Sequence, residues 1–168
     1  MFGLPLKKRG ALSGFTLLEV SLAVLVVGIL FSVAVPDLRR CLGRCRLQTA
    51  ADQLAGDIRE TSQLALNEES SLYSIKFYPS PGNAYYVKKS ANLGPRVVKA
   101  VSLPSGVVLE NTNFTDHELR FSAKGTPTAG GTVTLRDGVS GSFKYVIVAA
   151  VTGRVRVSDQ APKNVEDI

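Results

Sequence analysis

From Phe15 to Val35 the chain carries one charged side chain, Glu19, in twenty-one residues. As a helix that stretch rises about 30 Å, which is the hydrocarbon thickness of a bilayer. Its centre, Val20-Ser21-Leu22-Ala23-Val24-Leu25-Val26-Val27-Gly28-Ile29-Leu30-Phe31, offers no polar face that water could solvate. A helix apolar all round is covered by lipid or by other helices. No other segment of the sequence resembles it. The chain is therefore expected to meet a membrane once, near its N-terminus.

What remains is enough for one compact domain. The chain has 168 residues, of which 45% are hydrophobic and 20% charged, values ordinary for a globular protein and unlike a disordered one. The formal charge of +6 includes Lys7, Lys8 and Arg9. Without residues 1–14, 17 bases face 14 acids, and an excess of +3 does not by itself imply a nucleic-acid partner.

A basic cluster before an apolar run also begins an ordinary secretory signal, and Ser32-Val33-Ala34 has the small-x-small pattern of its cleavage site. On that reading the product is a plain secreted β domain cut after Ala34. Two features weigh against it. The run is longer than the 7–15 residues of a signal core. It also holds a carboxylate, which costs roughly 2.5–3.5 kcal/mol at a helix centre in the membrane even on the lenient insertion scale.

The residues Gly14-Phe15-Thr16-Leu17-Leu18-Glu19 supply a reason for that carboxylate. They resemble the processing site of type IV prepilins and type II secretion pseudopilins. The resemblance implies that prepilin peptidase removes residues 1–14 by cutting after Gly14, and that Phe15 becomes an N-methylated terminus. Glycine suits a scissile site because its backbone enters a narrow groove without a side-chain clash. Glu19 falls at the fifth position after the cut, where the family places its acid. Pro36 falls at the twenty-second, where many members bend the helix. On this reading Glu19 pairs with the Phe15 ammonium of a neighbouring subunit, and the pair selects register more than it adds stability; the alternative is a carboxylate that snorkels to the interface and pairs with nothing.

Beyond the membrane segment, Leu38, Leu42, Leu47, Leu54, Ile58, Leu64 and Leu66 recur at roughly helical spacing among polar residues. The helix is expected to continue as an amphipathic segment over 37–67, after a membrane and filament-core part over 15–36. From Leu72 the pattern becomes short β-rich runs: 72–78, 85–89, 97–102, 107–110, 118–122, 132–136, 143–149 and 153–157. Turn chemistry separates them, as in Pro79-Ser80-Pro81-Gly82-Asn83, Pro104-Ser105-Gly106 and Asp137-Gly138. The expected fold class is α+β, with a long N-terminal helix packed on an antiparallel sheet or small sandwich over 68–168.

Ala51-Asp52-Gln53-Leu54-Ala55-Gly56-Asp57-Ile58-Arg59, Ile75-Lys76-Phe77, Leu119-Arg120-Phe121-Ser122-Ala123-Lys124-Gly125 and Val151-Thr152-Gly153-Arg154-Val155-Arg156-Val157 are similar to minor pilins of the GspH/FimT group. The resemblance spans essentially the whole mature chain and implies a long helix under two small antiparallel sheets. It also implies an inner-membrane precursor with its C-terminal domain in the periplasm, and a filament subunit whose partners are other pilins or pseudopilins. Some members with a Gly-Arg-x-Arg element bind DNA, and Arg154 and Arg156 match it. Two residues apart on a strand, they share a face and could meet one phosphate backbone. A solvated edge strand would carry the same charges. Lys88, Lys89, Arg96 and Lys99 could extend a basic surface, whereas Lys163 in the tail is offset by Asp159, Glu166 and Asp167.

No catalytic constellation emerges, and neither enzyme activity nor a cofactor is expected. Cys41 and Cys45 lie one turn apart on the helix at poor disulfide geometry. Small apolar packing is the leading reading, with a strained bridge or intersubunit pairing as alternatives. Two thiols fall short of the four ligands of a structural metal site. His117, the one histidine, sits in Asp116-His117-Glu118 without a nucleophile beside it. Gly130-Gly131 opens a strand and lacks phosphate-loop spacing.

Overall fold

A computed structural model of the chain describes residues 15–91 and 94–162, so Gly14 with the residues before it, and Lys163, Glu166 and Asp167, lie outside the described residues. Among the described residues one α-helix, one 3₁₀ turn (Thr115–His117) and eight strands follow in order. The helix α1 spans Leu17–Asn67. The strands are β1 (Tyr73–Tyr78), β2 (Ala84–Ala91), β3 (Gly94–Ser102), β4 (Val107–Thr112), β5 (Glu118–Arg120), β6 (Gly131–Asp137), β7 (Phe143–Val148) and β8 (Val155–Ser158). The chain divides after Leu38 into two units.

In the first unit every residue from Phe15 to Leu38 is exposed. The helix there is long and apolar enough to cross a membrane. Its two serines do not oppose such a setting, because both hydroxyls donate back to the helix. Ser21 Oγ donates to the Leu17 carbonyl at 2.8 Å and Ser32 Oγ to that of Ile29 at 2.7 Å. Thr16 Oγ1 accepts the Glu19 N–H at 3.2 Å and so caps the helix start. Pro36 stands inside the helix, where its missing N–H leaves the Ser32 carbonyl without the usual donor.

In the second unit two four-stranded antiparallel sheets, ordered β3-β2-β1-β5 and β4-β6-β7-β8, share one core with the rest of α1. Strand alternation sets the inner faces. Tyr73, Ile75 and Phe77 of β1 and Val133 and Leu135 of β6 are buried, while Ser74, Lys76 and Thr134 are not. Consecutive hairpins build most of each sheet. The exceptions are β4, which pairs with β6, and β5, which pairs with β1, so the chain changes sheet around them.

The helix face that meets the sheets differs from the expected leucine stripe. Leu38, Leu42 and Leu66 are exposed. The buried positions are Gly43, Leu47, Ala50, Ala51, Leu54, Ala55, Asp57, Ile58, Thr61 and Ala65. They recur every seven residues, as 43/50/57, 47/54/61 and 51/58/65, and so hold one side of the helix. Small side chains dominate that face, and two glycines mark tight points around it. A Cβ on Gly43 would lie 2.6 Å from Asp137 Oδ2, and one on Gly125 would lie 2.7 Å from the Ser62 carbonyl oxygen. Gly125 also has a φ of +73°, which disfavours any side chain there. Ser62 Oγ donates to the Gly125 carbonyl at 2.5 Å and ties the helix to the loop before β6.

Candidate functional site

Three groups of side chains come into question, and the first is the helix start. Phe15 is exposed and Glu19 lies in the first turn of α1. Thr16-Leu17-Leu18-Glu19 has the spacing of a capping box, a signal in the sequence that the assembly reading passes over. An acid there is also favoured by the partial positive charge of the helix N-terminus. Of such a box the structure shows the Thr16 half, the hydroxyl accepting the Glu19 backbone N–H.

The second group is the Gly-Arg-Val-Arg element. β8 begins at Val155, so Arg154 stands just before the strand, where its carbonyl accepts the Ala149 N–H at 2.9 Å. Arg156 lies opposite Ile147 across the β7–β8 ladder. Val155 is buried, Val157 packs against the core, Arg154 is exposed and Arg156 half-buried. The alternation turns both arginines away from the core. The other basic candidates sit on the opposite sheet, and three of them already have partners. Lys88 Nζ donates to Tyr78 Oη at 3.1 Å, Lys89 pairs with Glu68 at 2.5 Å, and Lys99 pairs with Asp57 at 2.7 Å and Glu60 at 3.2 Å.

The third group was not legible as a site in the sequence. Asp57, on the buried face of α1, accepts hydrogen bonds from Tyr85 Oη at 2.6 Å and Lys99 Nζ at 2.7 Å. Burial, then the hydrogen bond and charge of Asp57, push the Tyr85 phenol far above its ordinary range. The same carboxylate, through its hydrogen bond, raises the Lys99 ammonium. A carboxylate, a phenol and an amine in contact can be catalytic. Here the phenol is 1% exposed and held protonated against a carboxylate that is itself buried, so a substrate has no access to it. The cluster fastens α1 to β2 and β3. On the other sheet Arg59 Nη2 donates to the Val155 carbonyl at 2.7 Å, tying α1 to the strand that carries Arg156.

The cysteines differ from the packing expected of them. Cys41 and Cys45 are free and exposed, each two residues from Gly43 and hence on the opposite side of the helix. Cys45 borders an open cleft of about 440 Å³ whose walls include Leu47 and Phe143 and whose rim carries Arg44 and the Lys144–Asp159 ion pair. Among the described residues no three His, Cys, Asp or Glu side chains gather as a metal would need. His117 lies in an exposed 3₁₀ turn in which both it and Asp116 have positive φ, 53° and 54°. Lys76 Nζ donates to the Asp116 carbonyl.

Asp137 is almost fully buried beneath Gly43. Burial disfavours its charge, but hydrogen bonds from Ser140 and Val139, helped by the Arg46 charge, outweigh that and hold the carboxyl below its ordinary range. It closes the turn between β6 and β7.

Replacing Tyr85 by Phe should leave the fold intact while removing one donor from the buried Asp57 carboxylate. A loss of about 1–3 kcal/mol in unfolding free energy is expected from denaturant titration in detergent. A change within experimental error would show that the cluster does not fasten the helix to the sheet.

The long apolar N-terminal helix, whose continuation packs on antiparallel strands, is compatible with a pilin-like fold. No protein-family model, no curated protein and no solved structure matches the chain.

Proposed function

We propose that the chain is a non-catalytic filament subunit, a minor pilin or pseudopilin of the GspH/FimT kind, made as an inner-membrane precursor with its β domain in the periplasm. Prepilin peptidase would cut between Gly14 and Phe15, and α1 would carry the mature subunit into the core of a type IV pilus or type II secretion pseudopilus. The observation that carries the reading is a helix exposed along its whole apolar first part and covered by two sheets only from Gly43 onward. Such a helix is built to be buried by something other than its own chain. Glu19, the fifth residue after the cut, supplies the charge that pairs with a neighbour's Phe15 ammonium. Pro36 marks where the apolar part ends and Asp37 begins the polar one.

Glu19→Ala tests this directly. The precursor should still insert and be trimmed, since neither step uses the carboxylate, while the mature subunit should be depleted severalfold from sheared filaments. Normal incorporation would show that the carboxylate only starts the helix.

A second reading, DNA binding by the same subunit, is favoured by the orientation of Arg154 and Arg156 away from the core. Weak, sequence-independent binding to duplex DNA is expected, with log K falling against log salt by about 0.9 per phosphate contact. Arg154→Ala with Arg156→Ala should flatten that slope by about two units in a polarisation titration of the detergent-solubilised chain. An unchanged slope would return the pair to a solvated strand end.

A further inference from the structure

Directly after the apolar run the sequence reads Asp37-Leu38-Arg39-Arg40-Cys41-Leu42-Gly43-Arg44-Cys45-Arg46. Four arginines face one carboxylate there, a net of +3, and the next ten residues of the helix contain no base at all. All four arginines are exposed. Arg40 and Arg44 are one turn apart and Arg39 and Arg46 two turns apart, so they form two columns flanking the line of Gly43 and Leu47. Arg46 also lends its charge to buried Asp137. The four arginines together leave a net positive band on the helix.

We infer that residues 39–46 bind the phosphodiester headgroups of anionic phospholipids, such as phosphatidylglycerol, at the membrane surface where the apolar segment emerges. The inference rests on the membrane-spanning reading of the apolar segment and adds a lipid class to it. Along a helix Arg39 lies about 6 Å and Arg44 about 14 Å beyond Val35. The headgroup layer is about 5–8 Å thick on each side, and arginine side chains reach toward it while their stems cover apolar surface. Both positions are thus within reach of the layer or within about one Debye length of it. In the proposed orientation these arginines also stand on the translocated side, against the usual cytoplasmic excess of Lys and Arg. The guanidinium forks of Arg39 and Arg44 match a phosphate better than a point charge does. Duplex DNA offers the same phosphates, but it must come from solution, whereas headgroups are supplied wherever the helix is inserted.

The test is electron spin resonance of the full chain in phosphatidylcholine vesicles with spin-labelled phosphatidylglycerol or phosphatidylcholine at probe level. The protein-restricted signal should favour phosphatidylglycerol about fivefold, equivalent to the ~1 kcal/mol of one basic side chain near an anionic surface. The preference should fall as salt is raised in the unaltered protein, and Arg39→Gln with Arg44→Gln should bring it close to one. Arg39→Lys with Arg44→Lys should keep most of it. Equal restriction of both lipids by the unaltered chain, or an undiminished preference in the Gln variant, overturns the inference and leaves the membrane reading standing. No restricted signal from either lipid overturns both. Loss of the preference on adding equimolar duplex DNA would assign the band to nucleic acid instead.

Discussion

The second unit depends on the packing of one face of α1, rich in small side chains, into a core shared with both sheets. Leu47, Leu54 and Ile58 enter a core shared by β1, β2, β4 and β6, and Ala50, Ala51, Ala55 and Ala65 are buried beside them. At Gly43 and Gly125 there is no room for a Cβ. Close packing of this kind gains dispersion contacts that a layer of leucines would hold apart, and it tolerates little change in volume. Polar anchors then fix the helix in place. Asp57 is bound by Tyr85 and Lys99 on one sheet, and Arg59 by the Val155 carbonyl on the other.

The first unit obeys the opposite rule. From Leu17 to Val35 the side chains are exposed all round, and the only polar side chains with hydroxyls, Ser21 and Ser32, are satisfied by their own helix. One sequence thus contains two kinds of helix end to end. The small-residue face belongs to contact within the chain, and the uniformly apolar part is long and apolar enough to cross a membrane. Pro36 and the arginines after it occupy the change of regime.

Much of this was legible in the residues. All eight strands fall within a few positions of where alternation and turn chemistry put them, because those signals are local. The exchange of β4 and β5 between sheets was not, since Ile75↔Leu119 and Leu109↔Leu135 are pairings of distant segments that no local pattern encodes. The helix face was misread for a different reason. Counting leucines gives weight to Leu38, Leu42 and Leu66, which point outward, and passes over alanine and glycine, whose seven-residue recurrence marks the contact. Asp57 escaped notice because a single carboxylate among helix polars looks solvated until Tyr85 and Lys99 are brought to it. The expected strand 153–157 starts two residues later, at Val155, which leaves Arg154 just before it, and both arginines still turn from the core.

The account stands or falls on where the mature chain begins. Produced in a host that has prepilin peptidase, the chain extracted from the membrane fraction should give an intact mass and N-terminal sequence starting at Phe15 with one added methyl group. A product starting at Val35, or one that still carries Gly14 and the residues before it, would contradict the assignment of the apolar helix to a filament subunit.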